Sequence, residues 1–247
     1  MPAALNESAI TLAKRAWQSI LFPHDYRPGP NASLAIGAAL RLLGRSQGAG
    51  ASWAGSDKDR EAEVAELREA QVEFDFTQGH DPAGGGGEHL TYFAKERDGL
   101  IYKATWREQF GFVPKLNDRG KLVLCVASPS EYLLRCGLAN VAFGDDIRLL
   151  CVAQDQAGGS EFPSIITSQP FIVGEPPDAR AIAKHLRALE FRPLPKADHR
   201  PSGLHDAWYR RADQVVICDA VAGNFVRTMA GDIVAIDLPA ALAADIL

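Results

Sequence analysis

The stretch ICDAVAGNFVRTMAGDIVAIDL, residues 217–238, places three polar side chains at defined points of a predicted strand, loop and hairpin. Asp219 follows the apolar strand VVIC, Asn224 lies five residues later, and Asp237 ends the strand IVAID after another thirteen residues. The segments FVRT and IVAID are predicted to pair around Ala230-Gly231-Asp232. A short hairpin between Asn224 and Asp237 would return both residues to the same edge of a sheet.

These three side chains suit phosphoryl transfer. That chemistry needs positioned oxygen ligands for magnesium and an acceptor for the proton of the attacking hydroxyl. Two carboxylates and one amide oxygen supply both requirements. A simpler interpretation stays open, because Asp219 and Asn224 are also common turn residues and Asp237 can cap the segment that follows it.

A site of this kind also needs a cation on a strand next to a glycine-rich turn. Lys103 lies in LIYKATW, just after a tight hairpin predicted at Asp98-Gly99. One strand earlier lie four consecutive glycines, where a loop would cover phosphates: Gly84, Gly85, Gly86 and Gly87. Glycines without the GxGxxG spacing are equally typical of a linker, and a single strand lysine commonly faces solvent. The order of glycine loop, hairpin, lysine strand, helix, strands, helix and Asp-Asn-Asp favours the functional interpretation.

A carboxylate is expected to orient Lys103 from the helix that follows it. Glu131 in PSEYLLRCGLANVAF is the candidate, and Glu108 is a weaker alternative. A glutamate in the first turn of a helix also stabilises the helix dipole, so a purely structural role for Glu131 remains open.

The remaining sequence predicts an α+β fold. Residues 1–70 are predicted to be a helical segment that precedes a domain over residues 71–247. Within that domain, residues 71–173 form an antiparallel sheet lobe with one inserted helix, and residues 174–247 form a truncated, helical C-terminal lobe. Residues 77–88 are predicted to be a glycine-rich loop. Consecutive strands joined as hairpins differ from the alternating strands and helices of a doubly wound fold.

Composition limits the possible partners and compartment. The 247 residues are 47% hydrophobic, enough to bury the core of one large domain or two lobes. A net charge of -5 argues against nucleic acid as the main partner. The four cysteines show neither a CxxC pair nor a histidine at zinc-ligand spacing, so we expect free thiols in a reducing cytoplasm. No apolar stretch reaches the roughly 18 residues of a membrane span, so no membrane partner is expected.

Three segments resemble the polyvalent-protein kinase family, a kinase-like domain of phage and mobile-element proteins. They are EYLLRCGLANVAFGDDIRLLCVA, SIITSQPFIVGEPP and ICDAVAGNFVRTMAGDIVAIDL, and the resemblance covers roughly residues 72–240. The spacing of the Asp-Asn-Asp residues is also similar to that of protein kinases and aminoglycoside-type phosphotransferases. The resemblance implies a protein-kinase-like fold that binds ATP and Mg2+.

The resemblance also implies roles for single residues. Asp219 would be the catalytic-loop Asp, Asn224 and Asp237 would hold magnesium, and Lys103 with its partner Glu131 would bind the ATP phosphates. Residues 168–172 would fall near the hinge that reads adenine, with Gln169 and Phe171 as candidate contacts, and the four glycines would cover the phosphates.

The sequence departs from the family at several positions. Ile217 replaces the histidine of an HRD-type motif, and Val221 and Ala222 stand where a cation or histidine and a proline are expected. Ten residues follow Asp237, so we expect neither an activation loop nor a large peptide-binding lobe.

Three hypotheses follow. The first is an ATP-dependent phosphotransferase that acts on an unknown small-molecule or protein acceptor. The second is a pseudokinase, which keeps the fold but performs no chemistry. The third is an interaction domain without a nucleotide site, which predicts that Lys103 and Asp237 lie far apart.

Overall fold

The computed structural model describes residues 7–22, 29–48, 57–73, 80–94, 99–106, 109–117, 119–154, 162–194 and 206–243. Within these ranges the helices are α1 (Glu7–Leu21), α2 (Pro30–Gly48), α3 (Asp57–Glu69), α4 (Pro129–Phe143) and α5 (Ala179–Ala188). The strands of the first part are β1 (Gln71–Val72), β2 (His80–Gly85), β3 (His89–Ala94), β4 (Leu100–Thr105), β5 (Phe112–Leu116), β6 (Leu122–Val126), β7 (Arg148–Gln154) and β8 (Pro163–Pro170). Those of the second part are β9 (Gly174–Glu175), β10 (Arg192–Pro193), β11 (Trp208–Arg210), β12 (Val215–Ile217), β13 (Phe225–Thr228), β14 (Ile233–Ala235) and β15 (Ala240–Leu242).

The protein is therefore α+β, as the sequence predicts. The largest sheet has six strands in the order β1-β7-β8-β4-β3-β2. Its pairs are antiparallel except for the edge pair β1 and β7, which is parallel. Lys103 lies on a central strand, opposite Thr91 on β3 and Thr167 on β8. The lysine is thus held on both sides by strand pairing.

Helix α4 begins and ends with strong local signals. The Ser128 hydroxyl accepts a hydrogen bond from the Glu131 backbone N–H, and the Glu131 carboxylate accepts one from the Ser128 N–H. Such a reciprocal capping box satisfies two N–H groups that a helix start otherwise leaves unpaired. Pro129 suits the first turn because it has no N–H to satisfy. The helix ends at Gly144, whose φ of 74° is a left-handed conformation that glycine adopts at low cost.

The glycine-rich segment differs from its prediction. Gly84 and Gly85 lie in strand β2 rather than in a loop, and the turn is confined to residues 86–88. Backbone pairing with β3 forms this strand, since a sheet ladder does not require side chains. The register shifts between Pro82 and Gly84, where Gly84 has a φ of 137°. This conformation is open to glycine and accommodates the bulge.

The region after residue 174 also differs from its prediction. A helical lobe was expected, but the described part contains one α-helix and a short 3-10 segment at Ala222–Asn224, and its other elements are short strands. Strands β10-β11-β12-β15 form one small sheet and β14-β13-β9 form another. Short apolar runs such as residues 215–217 are too brief for stable helices and pair as strands instead.

One hydrophobic core joins the N-terminal helices to the rest of the chain. The same buried cluster contains Trp17 of α1, Leu42 of α2, Leu133 of α4 and Leu242 of β15. Helices α1 and α4 approach closely at Gly137, where an added methyl group would overlap the Ala16 carbonyl. Glycine is required there because no side chain fits between the two backbones. Among the described helices, none combines the length and the apolar character needed to cross a membrane.

Candidate functional site

Lys103 and Asp237 meet in the folded chain. The Lys103 Nζ lies 3.5 Å from Asp237 Oδ1 and donates a 3.0 Å hydrogen bond to the Ile236 carbonyl, 133 residues later in the sequence. Strand β4 therefore carries its lysine directly against the segment that follows β14. The expectation of the third hypothesis, that these two residues lie far apart, is wrong.

Arg135 of α4 is the second cation on Asp237. Its Nη2 donates a 2.9 Å hydrogen bond to Asp237 Oδ1, and its Nη1 donates to Glu88 and, at 2.8 Å, to the Phe112 carbonyl. The Arg135 side chain is only 4% exposed, whereas Asp237 keeps 34% of its side chain exposed. Although burial opposes its charge, the Glu88 and Asp237 carboxylates raise the pKa of Arg135. This guanidinium thus joins α4, the turn after β2 and the segment after β14.

The two cations keep Asp237 ionised. Burial alone would raise the pKa of Asp237, but the charges of Lys103 and Arg135 hold that pKa well below its usual range. The carboxylate is therefore an anion throughout the physiological pH range, and it presents an exposed edge to solvent.

His89 lines the same site as a neutral ring. Its Nε2 lies 3.0 Å from the Tyr132 hydroxyl, and its Nδ1 lies 3.9 Å from Asp237 Oδ2. Burial lowers the pKa of His89 to about 3, and Lys103 and Arg135 lower it further against the opposing effect of Asp237. The imidazole therefore carries no charge near neutral pH.

Glu131 does not have the predicted role. Its carboxylate accepts the Ser128 N–H at 2.7 Å in the capping box and pairs with Lys115 Nζ at 2.6 Å. Both contacts fix the start of α4, so the carboxylate is engaged there, and the carboxylate that contacts Lys103 is Asp237. The structural alternative for Glu131 is the correct one. Glu108 lies outside the described residues.

The glycine turn between β2 and β3 is anchored beside this site. The Trp106 Nε1 donates to the Gly86 carbonyl at 2.6 Å, and the Gln109 Nε2 donates to the Gly87 carbonyl at 3.2 Å. The turn leads directly into Glu88, which Arg135 binds. Of the four predicted glycines, Gly86 and Gly87 form the turn.

The two predicted adenine contacts have different environments. Gln169 on β8 is 5% exposed, and its Nε2 donates a 3.1 Å hydrogen bond to the Ile236 carbonyl. Its Oε1 has no hydrogen-bond partner within the part of the chain that the structure describes. Phe171 is 45% exposed and contacts Phe93 edge to face, with ring centroids 4.7 Å apart. Gln169 thus faces the inside of the site, whereas Phe171 faces solvent next to strand β3.

Asp219 and Asn224 form a compact unit of their own. The Asn224 Nδ2 donates to the Asp219 carbonyl at 2.8 Å and to Asp219 Oδ2 at 2.9 Å. Asp219 has a φ of 57°, a left-handed conformation that Asp tolerates better than most residues. The Ile236 N–H donates to the Asn224 carbonyl at 3.0 Å, and the Cys218 N–H donates to the Pro239 carbonyl at 2.9 Å. These two backbone bonds fix the unit on both sides of Asp237.

A small cavity of about 20 Å³ lies behind Lys103, between α4 and the sheet. Its lining includes Lys103, Arg135, Asp145, Gln169 and Asp237. This volume has room for one water-sized particle, which excludes a nucleotide from the enclosed part of the site. A larger ligand can reach Asp237 only from its exposed side.

Glu88, His89 and Asp237 offer one ligand atom each for a metal, with these atoms within 4.8 Å of one another. Arg135 already binds both carboxylates of this group, and Lys103 adds a second positive charge beside Asp237. Like charges at this distance oppose a divalent cation in the same place. We therefore assign no metal to this group.

Arg135 and Asp145 were missed by sequence reasoning. Arg135 lies in the otherwise apolar helix LLRCGLA, and a lone arginine in a buried helix needs a carboxylate partner. That signal was available. Asp145 follows the helix-ending Gly144, where the sequence indicates only a loop residue.

The comparisons with known proteins gave no relatives. No protein-family model matches the chain, and no match was found among curated proteins or solved structures.

Proposed function

We propose that this chain is a kinase-like phosphotransferase that binds ATP with Mg2+ and transfers the γ-phosphoryl group to a small-molecule or protein acceptor. The observation that carries the proposal is the contact between Lys103 and Asp237, beside an anchored glycine turn. The Asp219–Asn224 unit, fixed by backbone bonds on both sides of Asp237, supports it further. Together these features follow the order of parts in protein kinases.

The proposed roles follow from the chemistry of each side chain. Lys103 would bind the phosphates of ATP as a fixed charge, and Asp219 would accept the proton that leaves the acceptor hydroxyl. The acceptor oxygen would form a bond to the γ-phosphorus while the bond to the β-phosphate oxygen breaks, which releases ADP. Gly86 and Gly87 leave space for phosphates because they carry no side chains.

Mg2+ would be held by Asn224 and the exposed edge of Asp237, not between Glu88, His89 and Asp237, where Arg135 and Lys103 oppose a cation. Asn224 and Asp237 provide an amide and a carboxylate oxygen, the ligand type that this hard cation prefers. Asp237 stays ionised and keeps an exposed edge, so its carboxylate can reach a ligand from solvent. When bound, the ion would neutralise charge on the transferred phosphoryl group.

Catalytic inactivity is the second candidate, and Arg135 favours it. A buried guanidinium on Asp237 partly replaces the positive charge that a metal would supply. Val221 and Ala222 also lack the cation and proline expected after a catalytic Asp. In this case the chain would bind nucleotide, or a partner protein, without turning it over.

Four free cysteines support action in a reducing compartment such as the cytoplasm, where thiols persist. Three of them are buried, so they provide packing rather than reactivity.

The test combines binding with turnover. Isothermal titration of ATP with and without Mg2+ measures binding, and release of ADP measures turnover with the protein alone and with added acceptors. Mg2+-dependent binding with ADP release supports the phosphotransferase. Binding without release, across a range of Mg2+ and Mn2+, supports the inactive nucleotide-binding candidate. Absence of ATP binding at millimolar concentration overturns the phosphotransferase and the nucleotide-binding form of the second candidate.

A further inference from the structure

We infer that Asp145 positions Lys103 when nucleotide and metal engage Asp237, the role that the sequence had suggested for Glu131. The inference rests on the proposed function, since it concerns the same lysine. It assigns Asp145 as a positioning residue that acts through Lys103 rather than on the substrate.

Asp145 is held by a rigid connection between α4 and β7. Gly144 ends the helix with its N–H donating to the Asn140 carbonyl at 2.9 Å. Two residues beyond Asp145, the side chain of Asn140 binds both backbone groups of Ile147, at 2.7 and 2.8 Å. The backbone on either side of Asp145 is thus tied to one asparagine, and this fixes the position of the Asp145 backbone.

The carboxylate points at the cavity behind Lys103. Asp145 and Lys103 both line that cavity, and Asp145 Oδ1 is buried without a hydrogen-bond partner among the described residues. A buried carboxylate oxygen without a partner is costly and therefore rare in folded proteins. Gln169 Oε1, in the same cavity, is a second acceptor without a partner. Two acceptor atoms in the cavity are thus without a donor among the described residues, and Lys103 is a flexible donor that lines the same cavity.

Lys103 has the capacity to fill this need. An ammonium group donates three hydrogen bonds, and Lys103 makes one to the Ile236 carbonyl and a longer contact to Asp237 Oδ1. A metal on Asp237 would weaken the second contact, because the carboxylate charge would then be shared with the ion. Asp145 would supply the replacement, directly or through one water in the cavity.

The charges around Asp145 agree with this role. Burial raises the pKa of Asp145 to about 7, while Lys103 lowers it and Asp237 raises it. Arg135, His89, Tyr132 and Cys136 are the other titratable groups that line the cavity. A closer Lys103 would favour the ionised carboxylate, and the pair would be mutually stabilising in the low dielectric of the site.

The test is a double-mutant cycle on ATP affinity, measured by calorimetry with Mg2+ on the whole chain. The variants are Asp145→Asn, Lys103→Met and the two combined. We expect Asp145→Asn to weaken ATP binding about tenfold in the wild-type background and to have no further effect in the Lys103→Met background. A merely structural role would cost the same in both backgrounds. Asp145→Glu should restore part of the affinity.

The matched control is Asp146→Asn, at the neighbouring position, whose side chain is 42% exposed and pairs with Arg148. It should leave ATP affinity unchanged. Asp145→Asn removes a buried charge, so it is expected to fold, and its melting temperature checks this. Two results would overturn the inference alone, provided that the wild type binds ATP. One is an ATP affinity of Asp145→Asn within twofold of wild type, and the other is additive effects of Asp145→Asn and Lys103→Met. If the wild type binds no ATP, both the inference and the proposed function fail.

Discussion

Arg135 and Asp237 form an ion pair between a buried guanidinium and a partly exposed carboxylate, with Nη2 and Oδ1 2.9 Å apart, that crosses from helix α4 to the segment after β14. The same guanidinium also binds Glu88, so one side chain neutralises two carboxylates. Removal of one partner from a buried pair leaves the others uncompensated.

We expect Arg135→Met to lower the free energy of unfolding by roughly 3–5 kcal/mol, since two carboxylates and the Phe112 carbonyl each lose one donor. Urea unfolding monitored by circular dichroism measures the change. Arg148→Met is the control, because Arg148 pairs with Asp146 at a more exposed position and should cost less than about 1 kcal/mol. Equal effects of the two substitutions would contradict the buried pair.

Glu131→Ala tests the corrected role of Glu131. The substitution removes the capping box and the Lys115 contact, so we expect a stability loss of about 1–2 kcal/mol. ATP affinity should stay within twofold of wild type, because the carboxylate acts at the start of α4. A tenfold loss of ATP affinity without loss of stability would instead restore the sequence-based role.

Asp237→Asn tests the metal. ATP with Mg2+ should raise the melting temperature of the wild type through binding to the native state. The Asn variant keeps the shape but loses the charge, so most of the Mg2+-dependent part of that rise should disappear. Asp232→Asn, in the turn between β13 and β14, is the control and should behave as wild type. An unchanged Mg2+ response of the Asp237→Asn variant would exclude Asp237 as a metal ligand.

Asp219→Asn separates catalysis from binding. Asp219 would accept a proton but contributes little to holding ATP, so turnover should fall by on the order of 10²–10⁴-fold while ATP affinity changes little. Lys103→Ala should weaken both, because its charge meets ground state and transition state alike. ADP release and calorimetry, run side by side, give the two quantities. Unchanged ADP release by the Asp219→Asn variant would exclude Asp219 as the base.

Asp145 should make stability depend on pH. Its pKa rises from 3.8 to about 7 on folding, so the folded state binds more protons than the unfolded state between these values. The contribution of Asp145 to the free energy of unfolding should therefore fall as pH increases from about 4 to 7, against an opposite contribution from His89, whose pKa is lowered on folding. Asp145→Asn should lack this decline, so its stability relative to wild type should grow through that range. Urea unfolding at pH 5, 6, 7 and 8 measures it, with Asp146→Asn expected to follow wild type.

The sequence predicts those elements whose determinants are local. The alternation of apolar and polar residues in HLTYFA and LIYKAT predicts the strand pair that carries Lys103. Pro129 and the apolar residues that follow it predict α4. The signature Ser128-x-x-Glu131 also indicates a capping box. The prediction that Glu131 orients Lys103 did not take this signature into account. The edge strand β15 was missed because AAL has no strand signal of its own. It forms by pairing with β12, which only the tertiary fold provides.

The site was predicted only in part, because local sequence signals place some of its residues and the tertiary fold places the others. Lys103 lies in a regular strand and Asp237 comes shortly after one, so their side chains could be placed relative to a sheet. Arg135 and Asp145 reach the site through the depth and angle at which α4 lies against the sheet, and no sequence spacing encodes these quantities. The ion pair between Arg135 of α4 and Asp237 could therefore be identified only from the folded structure.

The close approach of Gly137 to Ala16 packs α1 against α4, and α4 carries Arg135 to the site. Gly137 lies two positions after Arg135 on α4, so the packing of α1 against α4 also sets how far the guanidinium extends toward Asp237. Removal of residues 1–70 would expose the face of α4 that packs on α1, and α4 would then be free to shift relative to Asp237. Residues 7–21 are thus part of the machinery around Asp237, although no atom of theirs is among those described as touching it.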